Sequence, residues 1–130
     1  MVIRLRPSVT PKEAERWKLL HDEASSTVVV PSDDGGSPVR KYRASAVCGP
    51  ESTQEQLYEH VKPAVSRALG GGRSAIVCYG GVGSGKSYTL LETHIGEWGV
   101  APRVFTELCL GVQKRRKEGA EINASLHALT

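Results

Sequence analysis

Apolar and polar positions alternate in short stretches over the first third of the chain, a pattern that predicts strands and turns. Residues 2–5 (VIRL) are a short apolar stretch in which Arg4 and then Arg6 alternate with apolar side chains, as in a strand that Pro7 would end. Residues 10–20 begin with a capping box (TPKE) that carries proline at the first helical position, which predicts a short helix. Two β-prone runs, residues 27–30 and 39–43, flank the turn-rich segment PSDDGGSP and predict a hairpin.

The middle of the chain changes to a helical period. Residues 52–55 (STQE) form a second capping box, and apolar residues at helical spacing follow as far as Leu69. Three glycines at 70–72 end this helix, and Pro63 inside it should bend it, because its ring removes one backbone hydrogen bond. Residues 74–79 (SAIVCY) are an apolar run too short for a helix, which predicts a strand covered on both faces.

The last third predicts one more helix and one more strand. Pro102 can open a helix whose basic run, residues 114–117, lies near its end, with Gly119 beyond. Residues 122–128 mostly alternate apolar and polar side chains, as in a half-buried strand. The helix would turn one apolar face inward, made of Phe105, Leu108, Cys109 and Val112.

Composition narrows the class of protein. A formal net charge of +3 over 130 residues is too small a basic excess to predict nucleic-acid binding. The cysteine count of 3 is odd and has no CxxC spacing, so we expect reduced thiols in a core and neither a disulfide framework nor a zinc site. No apolar run approaches the roughly 20 residues that span a bilayer, and the start lacks a signal-peptide pattern. We therefore expect a soluble intracellular protein with no membrane span.

The glycine-rich segment after residues 74–79 carries the clearest chemistry. It fits GxxxxGK[ST], the phosphate-binding loop, and lies between a predicted strand and a plausible helix. Glycines let the backbone N–H groups approach a phosphate closely. The lysine would neutralise the β- and γ-phosphates, and the last hydroxyl would ligate Mg²⁺. The residues of the loop are Gly80, Gly81, Val82, Gly83, Ser84, Gly85, Lys86 and Ser87.

Four segments together resemble the kinesin motor domain. They are VIRLRP at the start, STQEQLYEHVKPAV before the apolar run, CYGGVGSGKSYTL across the loop and GVAPRVF after it. The family pattern has an RxRP strand end, a TQxxVY-type helix start, YGxTGSGKTYTM and GIxPR, in the same order and at about the same spacing. The resemblance covers nearly the whole chain, weakly over residues 11–43 and strongly over residues 52–105.

The resemblance implies an α/β fold of the P-loop NTPase class, in which this chain supplies the N-terminal portion of a kinesin-like central sheet and its helices. Residues 1–130 would be one partial motor domain. Residues 1–49 would form the N-terminal strand, short helix and hairpin, and residues 50–130 would form the αβα segment with the phosphate-binding loop and a following strand.

The resemblance also implies ligands and partners. The loop would bind ATP with Mg²⁺, Lys86 would act in catalysis and Ser87 would ligate the metal. Arg4, Arg6 and Pro7 would border the adenine pocket, and Tyr88 would face the base from the other side, where an aromatic ring can stack. The complete motor would hydrolyse ATP to move along microtubules, on the cytoskeleton in the cytoplasm, with tubulin as its partner.

The sequence departs from the family pattern in three places. Gly81 and Val82 replace a glutamine-like residue and threonine in the loop, and residues 42–48 (YRASAVC) lack the aspartate and two aromatic anchors of FxFDxVF. Nothing resembles the switch segments NxxSSRSH and DLAGSE, so the resemblance implies a motor head truncated before them, with little turnover of its own.

Two alternatives stay open from the sequence. One is an unrelated small P-loop ATPase or kinase, which would need an apolar strand ending in aspartate to hold Mg²⁺. The aspartates, at positions 22, 33 and 34, follow no convincing core strand, which counts against it. The other is a non-catalytic remnant that acts as an interaction module.

Overall fold

The protein is described by a computed structural model that covers residues 1–8, 10–11, 20–22, 24–30 and 40–128. The chain divides into two compact units, Met1–His60 and Val61–Thr130. Among the described residues, the first unit contains the strands and the helix Gln54–Glu59, and the second contains the other helices and the glycine-rich loop. The helix predicted from residue 10 falls mostly outside the described residues, as does the turn of the predicted hairpin.

A parallel pair of strands forms the centre of the first unit. Strand β1 (Val2–Arg4) pairs with β5 (Ala46–Cys48), so that Val2 lies opposite Ala46. Leu5 continues the pairing, since its backbone N–H donates to the Cys48 carbonyl at 2.9 Å. The side chains of Leu5, Val28 and Val47 are buried together and Ile3 packs against them. The strand predicted at residues 2–5 is therefore confirmed, and its apolar positions make the core.

A three-stranded antiparallel sheet completes the first unit's strands. It contains β2 (Leu20–Asp22), β3 (Thr27–Val30) and β4 (Arg40–Arg43), in the order β2-β3-β4. The pairing of β3 with β4 confirms the hairpin expected from residues 27–30 and 39–43. Strand β2 was not predicted, because three residues (LHD) are too short to show an alternating pattern. Leu20 was expected to end the short helix from residue 10, and this part of the prediction was wrong.

The helix expected over residues 52–69 is two helices in the structure. Helix α1 (Gln54–Glu59) is capped by Thr53, not Ser52, and its capping box pairs Thr53 with Gln56. Helix α2 (Lys62–Leu69) carries Pro63 in its first turn. One helix bent at this proline was predicted; the structure instead ends a helix at Glu59 and begins another at Lys62, directly before Pro63. A proline has no N–H to donate within a helix, so it is accommodated best where that donor is not needed, at a helix start.

The second unit packs two helices against a long third one. Helix α3 (Lys86–Leu91) follows the glycine-rich loop, and α4 (Val100–Ala128) runs for 29 residues. Both α2 and α3 contact α4. Leu69 of α2 lies so close to Gly111 of α4 that a methyl carbon built on Gly111 would be 2.6 Å from Cδ2 of Leu69. Glycine at this position lets the two helices approach.

The apolar face of α4 is not the one that the sequence predicts. Phe105 is 70% exposed and Val112 53% exposed. Cys109 is exposed as well, which corrects the expectation of three core cysteines. The positions turned inward include Val100, which is buried, and Gly111, against which Leu69 packs. One contact of α4 with another helix is thus a close approach at Gly111, and a pattern of hydrophobic residues does not predict such a contact.

Two predicted strands are absent from the structure. Residues 74–79 form no strand and pair with no other described strand; Val77 is 83% exposed and Tyr79 fully exposed. A buried strand needs neighbours on both sides, and the described residues supply none. Residues 122–128, also expected to be a strand, continue α4 instead. Their alanine, leucine and glutamate neighbours favour a helix, and an exposed Gly119 costs only about 1 kcal/mol inside one.

Candidate nucleotide-binding loop

Residues 80–87 turn tightly between the exposed segment and α3. Gly83 and Gly85 have φ angles of 74° and 90°, in the left-handed region that glycine adopts without steric cost. Gly85 is the N-cap of α3, and its carbonyl accepts the first helical hydrogen bond, from Thr89 N at 2.8 Å. Gly80 lies against Ser84, because a methyl carbon built on Gly80 would be 2.7 Å from Ser84 Oγ. Gly80 is therefore required by the closeness of Ser84, whereas Gly83 and Gly85 are required by their backbone angles.

Lys86 is the first residue of α3 and reaches back across the loop. Its Nζ donates to the carbonyl oxygen of Gly80 at 2.9 Å and to that of Gly81. The ammonium group therefore lies at the mouth of the turn, held by two carbonyl dipoles. Phosphate oxygens are stronger acceptors than these carbonyls, since they carry charge. A phosphate oxygen at this point would therefore compete with the two carbonyls for the ammonium group.

The other loop positions face solvent. Val82 and Ser87 are exposed, and Ser84 N donates to the Gly81 carbonyl at 3.4 Å. Ser87 is the second residue of α3, so its hydroxyl and the Lys86 side chain start from the same helical turn. The described residues contain no cluster of three or more histidine, cysteine or acidic side chains that could hold a metal ion.

Residues 92–99, called the return loop here, connect α3 to α4. The Glu92 carboxylate accepts from the backbone N–H of Thr93 at 2.8 Å and of His94 at 3.0 Å, and it contacts the His94 ring. The ring contact is the main reason why the pKa of Glu92 is lowered, and the same contact raises the pKa of His94. At the other end, Gly99 N donates to the Glu92 carbonyl at 2.8 Å.

Tyr88 connects α3 to the return loop. Its hydroxyl donates to Glu97 Oε2 at 3.3 Å, and its side chain is 41% exposed. Glu97 was not among the residues singled out from the sequence. No motif contains it, and its only sequence signal is an acidic residue in the loop that precedes GVAPR.

The adenine-side residues belong to the first unit, while the loop and Tyr88 belong to the second. Arg4 lies in β1, and its guanidinium donates to Gln54 Oε1 at 2.8 Å and to the Ser52 carbonyl at 3.5 Å. Arg6 and Pro7 are exposed. Gln54 is buried and accepts from Arg4, so this ion–amide contact ties β1 to the start of α1. Sequence reasoning missed Gln54, although a polar residue in the first turn of a capped helix was a visible candidate.

None of the described helices has an apolar stretch of the length that crosses a membrane. The structure is similar, with TM-score 0.72 and 24% identity, to the solved structure titled "KIF14[391-755] - ADP in complex with a microtubule". The match covers 87% of this chain and 33% of that one, and it confirms the α/β fold of the P-loop NTPase class.

Curated relatives point to the same family. The kinesin-like protein KIN-14O of Arabidopsis thaliana is 32% identical over 118 residues, which is 87% of this chain and 10% of the relative. KIN-12A of the same plant is 38% identical over 86 residues, 58% of this chain and 7% of the relative. The chain thus spans about a tenth of the length of these relatives. The sequence-family model described as the kinesin motor domain matches residues 4–128 of this chain. With its loop, fold and relatives in agreement, this chain belongs to the kinesin motor domain family.

Proposed function

We propose that this chain is the ATP-binding portion of a microtubule motor, which in complete form couples hydrolysis of MgATP to movement along microtubules. The observation that carries the proposal is the loop at residues 80–87. Gly83 and Gly85 give the turn its left-handed backbone angles, and Lys86 holds its ammonium group across the mouth of that turn against two carbonyl oxygens. A chain of phosphates fits such a loop, because it brings charged acceptors to the one cation that bridges it.

Each residue of the site has a proposed role. Lys86 binds the β- and γ-phosphates and stabilises the charge that develops on transfer, while backbone N–H groups of residues 80–85 cradle the phosphate chain. Ser87 supplies a hydroxyl to Mg²⁺, which when bound bridges the phosphate oxygens. Tyr88 packs against the base, and Arg4, Arg6 and Pro7 border the adenine.

The proposal extends to partners and location. The solved neighbour carries ADP and is bound to a microtubule, and the relatives are kinesin-like proteins. We therefore propose tubulin as the partner and the microtubule cytoskeleton of the cytoplasm as the site of action. Turnover by these residues alone should be slow, because phosphoryl transfer also needs groups that orient the attacking water.

Binding of a fluorescent ATP analogue with Mg²⁺, compared between the wild type and Lys86→Ala, tests the proposal. An ammonium group about 4 Å from a phosphate charge contributes about 1 kcal/mol in water and about 4 kcal/mol near a protein surface. Because the loop is partly exposed, we expect the variant to bind roughly tenfold to a hundredfold more weakly. Lys117→Ala, which removes the same charge from an exposed position of α4, should bind as the wild type does.

Circular dichroism on the same samples separates binding from folding. A folded wild-type chain that does not bind the analogue would refute the proposal, as would equal binding by Lys86→Ala. Unchanged helical signal in Lys86→Ala together with weaker binding would support it, because the lysine makes only exposed contacts.

The exposed segment at residues 74–79 favours a second candidate function, that of a non-catalytic interaction module. Val77 and Tyr79 present apolar surface directly beside the loop, as a surface that binds another protein would. A stable fold with no affinity for nucleotide would favour this function. The other alternative, an unrelated P-loop ATPase or kinase, is set aside because the chain belongs to the kinesin motor domain family.

A further inference from the structure

The return loop folds back onto α3 through contacts at both of its ends. At its start, the Glu92 carboxylate accepts from two backbone N–H groups, those of Thr93 and His94. At its end, Gly99 is buried and donates to the Glu92 carbonyl at 2.8 Å. A methyl carbon built on Gly99 would lie 2.9 Å from the carbonyl carbon and oxygen of Leu90. The backbone of the loop is therefore seated directly on the end of α3.

A turn inside the return loop then presents Glu97. Its backbone N–H donates to the His94 carbonyl at 2.9 Å, and Gly96 takes the left-handed φ of 90° that the turn requires. The Glu97 carboxylate is exposed, but its Oε2 accepts from the Tyr88 hydroxyl at 3.3 Å. The contacts that shape the loop use backbone atoms and the Glu92 side chain, so they do not depend on the Glu97 side chain.

Tyr88 is thereby held at both ends. Its Cα belongs to the first turn of α3, two residues after Lys86, and its phenol oxygen is bound to Glu97. Two fixed points restrict both torsion angles of the side chain and leave the ring partly exposed for a ligand. A ring that is already ordered loses less freedom when a ligand packs on it, which strengthens binding.

We propose that Glu97 is a positioning residue for the nucleotide base: it orients the Tyr88 ring from the return loop and so raises affinity for the base, without touching the phosphates. This inference rests on the proposed function, since it assigns Glu97 to the same site. Glu97 lies outside the phosphate-binding loop and touches the ligand only through Tyr88.

Competition against a fluorescent ATP analogue, with Mg²⁺ present, tests the inference with two competitors. ATP carries the base, whereas inorganic tripolyphosphate carries only the phosphate chain. Glu97→Ala should weaken the binding of ATP by about two- to tenfold, the range expected when one side chain is no longer held in place before the ligand binds. The substitution should leave the affinity for tripolyphosphate unchanged, because Lys86 and the loop glycines are intact. Glu97→Gln keeps an oxygen that accepts from the hydroxyl and should bind ATP nearly as the wild type does.

Tyr88→Phe provides the decisive comparison, because it keeps the ring and removes only the hydroxyl. Tyr88→Phe should weaken the binding of ATP as much as Glu97→Ala does. The double variant should bind ATP no more weakly than either single variant. Glu118→Ala is the matched control, because it removes an exposed carboxylate of α4. It should change the affinity for neither competitor.

The outcomes separate this inference from the proposed function. If the wild type binds neither competitor, the proposed function fails and the inference falls with it. If the wild type binds both but Glu97→Ala weakens them equally, the glutamate acts on the folding of the loop and the inference is overturned. It is overturned as well if Glu97→Ala still weakens ATP in the Tyr88→Phe background, because the effect would not pass through the hydroxyl.

Discussion

Two glycines of α4 allow one substitution to be tested with opposite expected outcomes. At Gly111 a methyl carbon would lie 2.6 Å from Cδ2 and 3.0 Å from Cδ1 of Leu69, whereas at Gly119 it would meet no described atom within 4 Å. Both residues lie inside the helix. Alanine should gain about 1 kcal/mol over glycine at either position through helix propensity. Only at Gly111 is that gain opposed by a clash.

The size of the clash follows from which atoms oppose the new methyl group. Overpacking costs about 1–3 kcal/mol in general. The opposing atoms are the terminal methyl groups of Leu69, which is only half-buried and can rotate, so we expect a cost of about 1–2 kcal/mol. Gly119→Ala should therefore stabilise the protein by about 1 kcal/mol. Gly111→Ala should range from neutral to about 1 kcal/mol destabilising, which leaves the two variants about 1–2 kcal/mol apart.

Urea unfolding followed by far-UV circular dichroism measures this difference directly. Both variants make the same change to the unfolded chain, so its contribution cancels in the comparison. In a Leu69→Ala background the opposing methyl groups are gone, and Gly111→Ala should become as stabilising as Gly119→Ala. Equal stabilisation by both substitutions in the wild-type background would refute the reasoning, because α2 and α4 could not then be as close as 2.6 Å implies.

Three further changes have expected outcomes. Gly99→Ala should destabilise the protein by about 1–3 kcal/mol in urea unfolding, because its methyl carbon would lie 2.9 Å from backbone atoms of Leu90, which cannot rotate away; a neutral result would contradict this packing. Thr53→Ala should cost about 1 kcal/mol in the same assay through loss of the cap of α1, and Thr53→Ser should restore most of it. The Glu92–His94 contact should be strongest between pH 4.5 and 6.5, the ordinary pKa values of the two groups, where both are charged even in the unfolded chain. It should be lost as pH rises through the raised pKa of His94 or falls through the lowered pKa of Glu92. An NMR titration of His94 should give a pKa above 6.5 that Glu92→Gln lowers, and an unchanged midpoint in that variant would show that the contact is absent.

Features that depend on neighbours in sequence were predictable. The hairpin of β3 and β4, the strand at residues 2–5 and the loop at residues 80–87 all follow from short local patterns. The capping box of α1 was one residue displaced, since Ser52 and Thr53 are both good caps. Pro63 was assigned to a bend because the apolar period ran past it, although proline is also the residue most suited to a first helical turn.

Features that depend on residues distant in the sequence could not be predicted. Residues 74–79 have the composition of a buried strand, but a strand exists only when other strands pair with it. Residues 122–128 alternate in hydrophobicity, yet a preceding helix of good helix formers extends through them. The role that we propose for Glu97 rests on a return loop that places it beside Tyr88 across nine positions of sequence, a distance that no period or motif reports.

The exposed segment at residues 74–79 also bears on how the protein behaves as its concentration rises. Its backbone donors and acceptors have no strand partner among the described residues, and its apolar side chains face water. Two molecules can satisfy both deficits at once by pairing their segments edge to edge, and a third can add to the free side of either. Self-association of this kind grows steeply with concentration and has no built-in stopping point. We therefore expect the six residues directly ahead of the loop to limit solubility, and a partner that covers them to protect the molecule from its own copies.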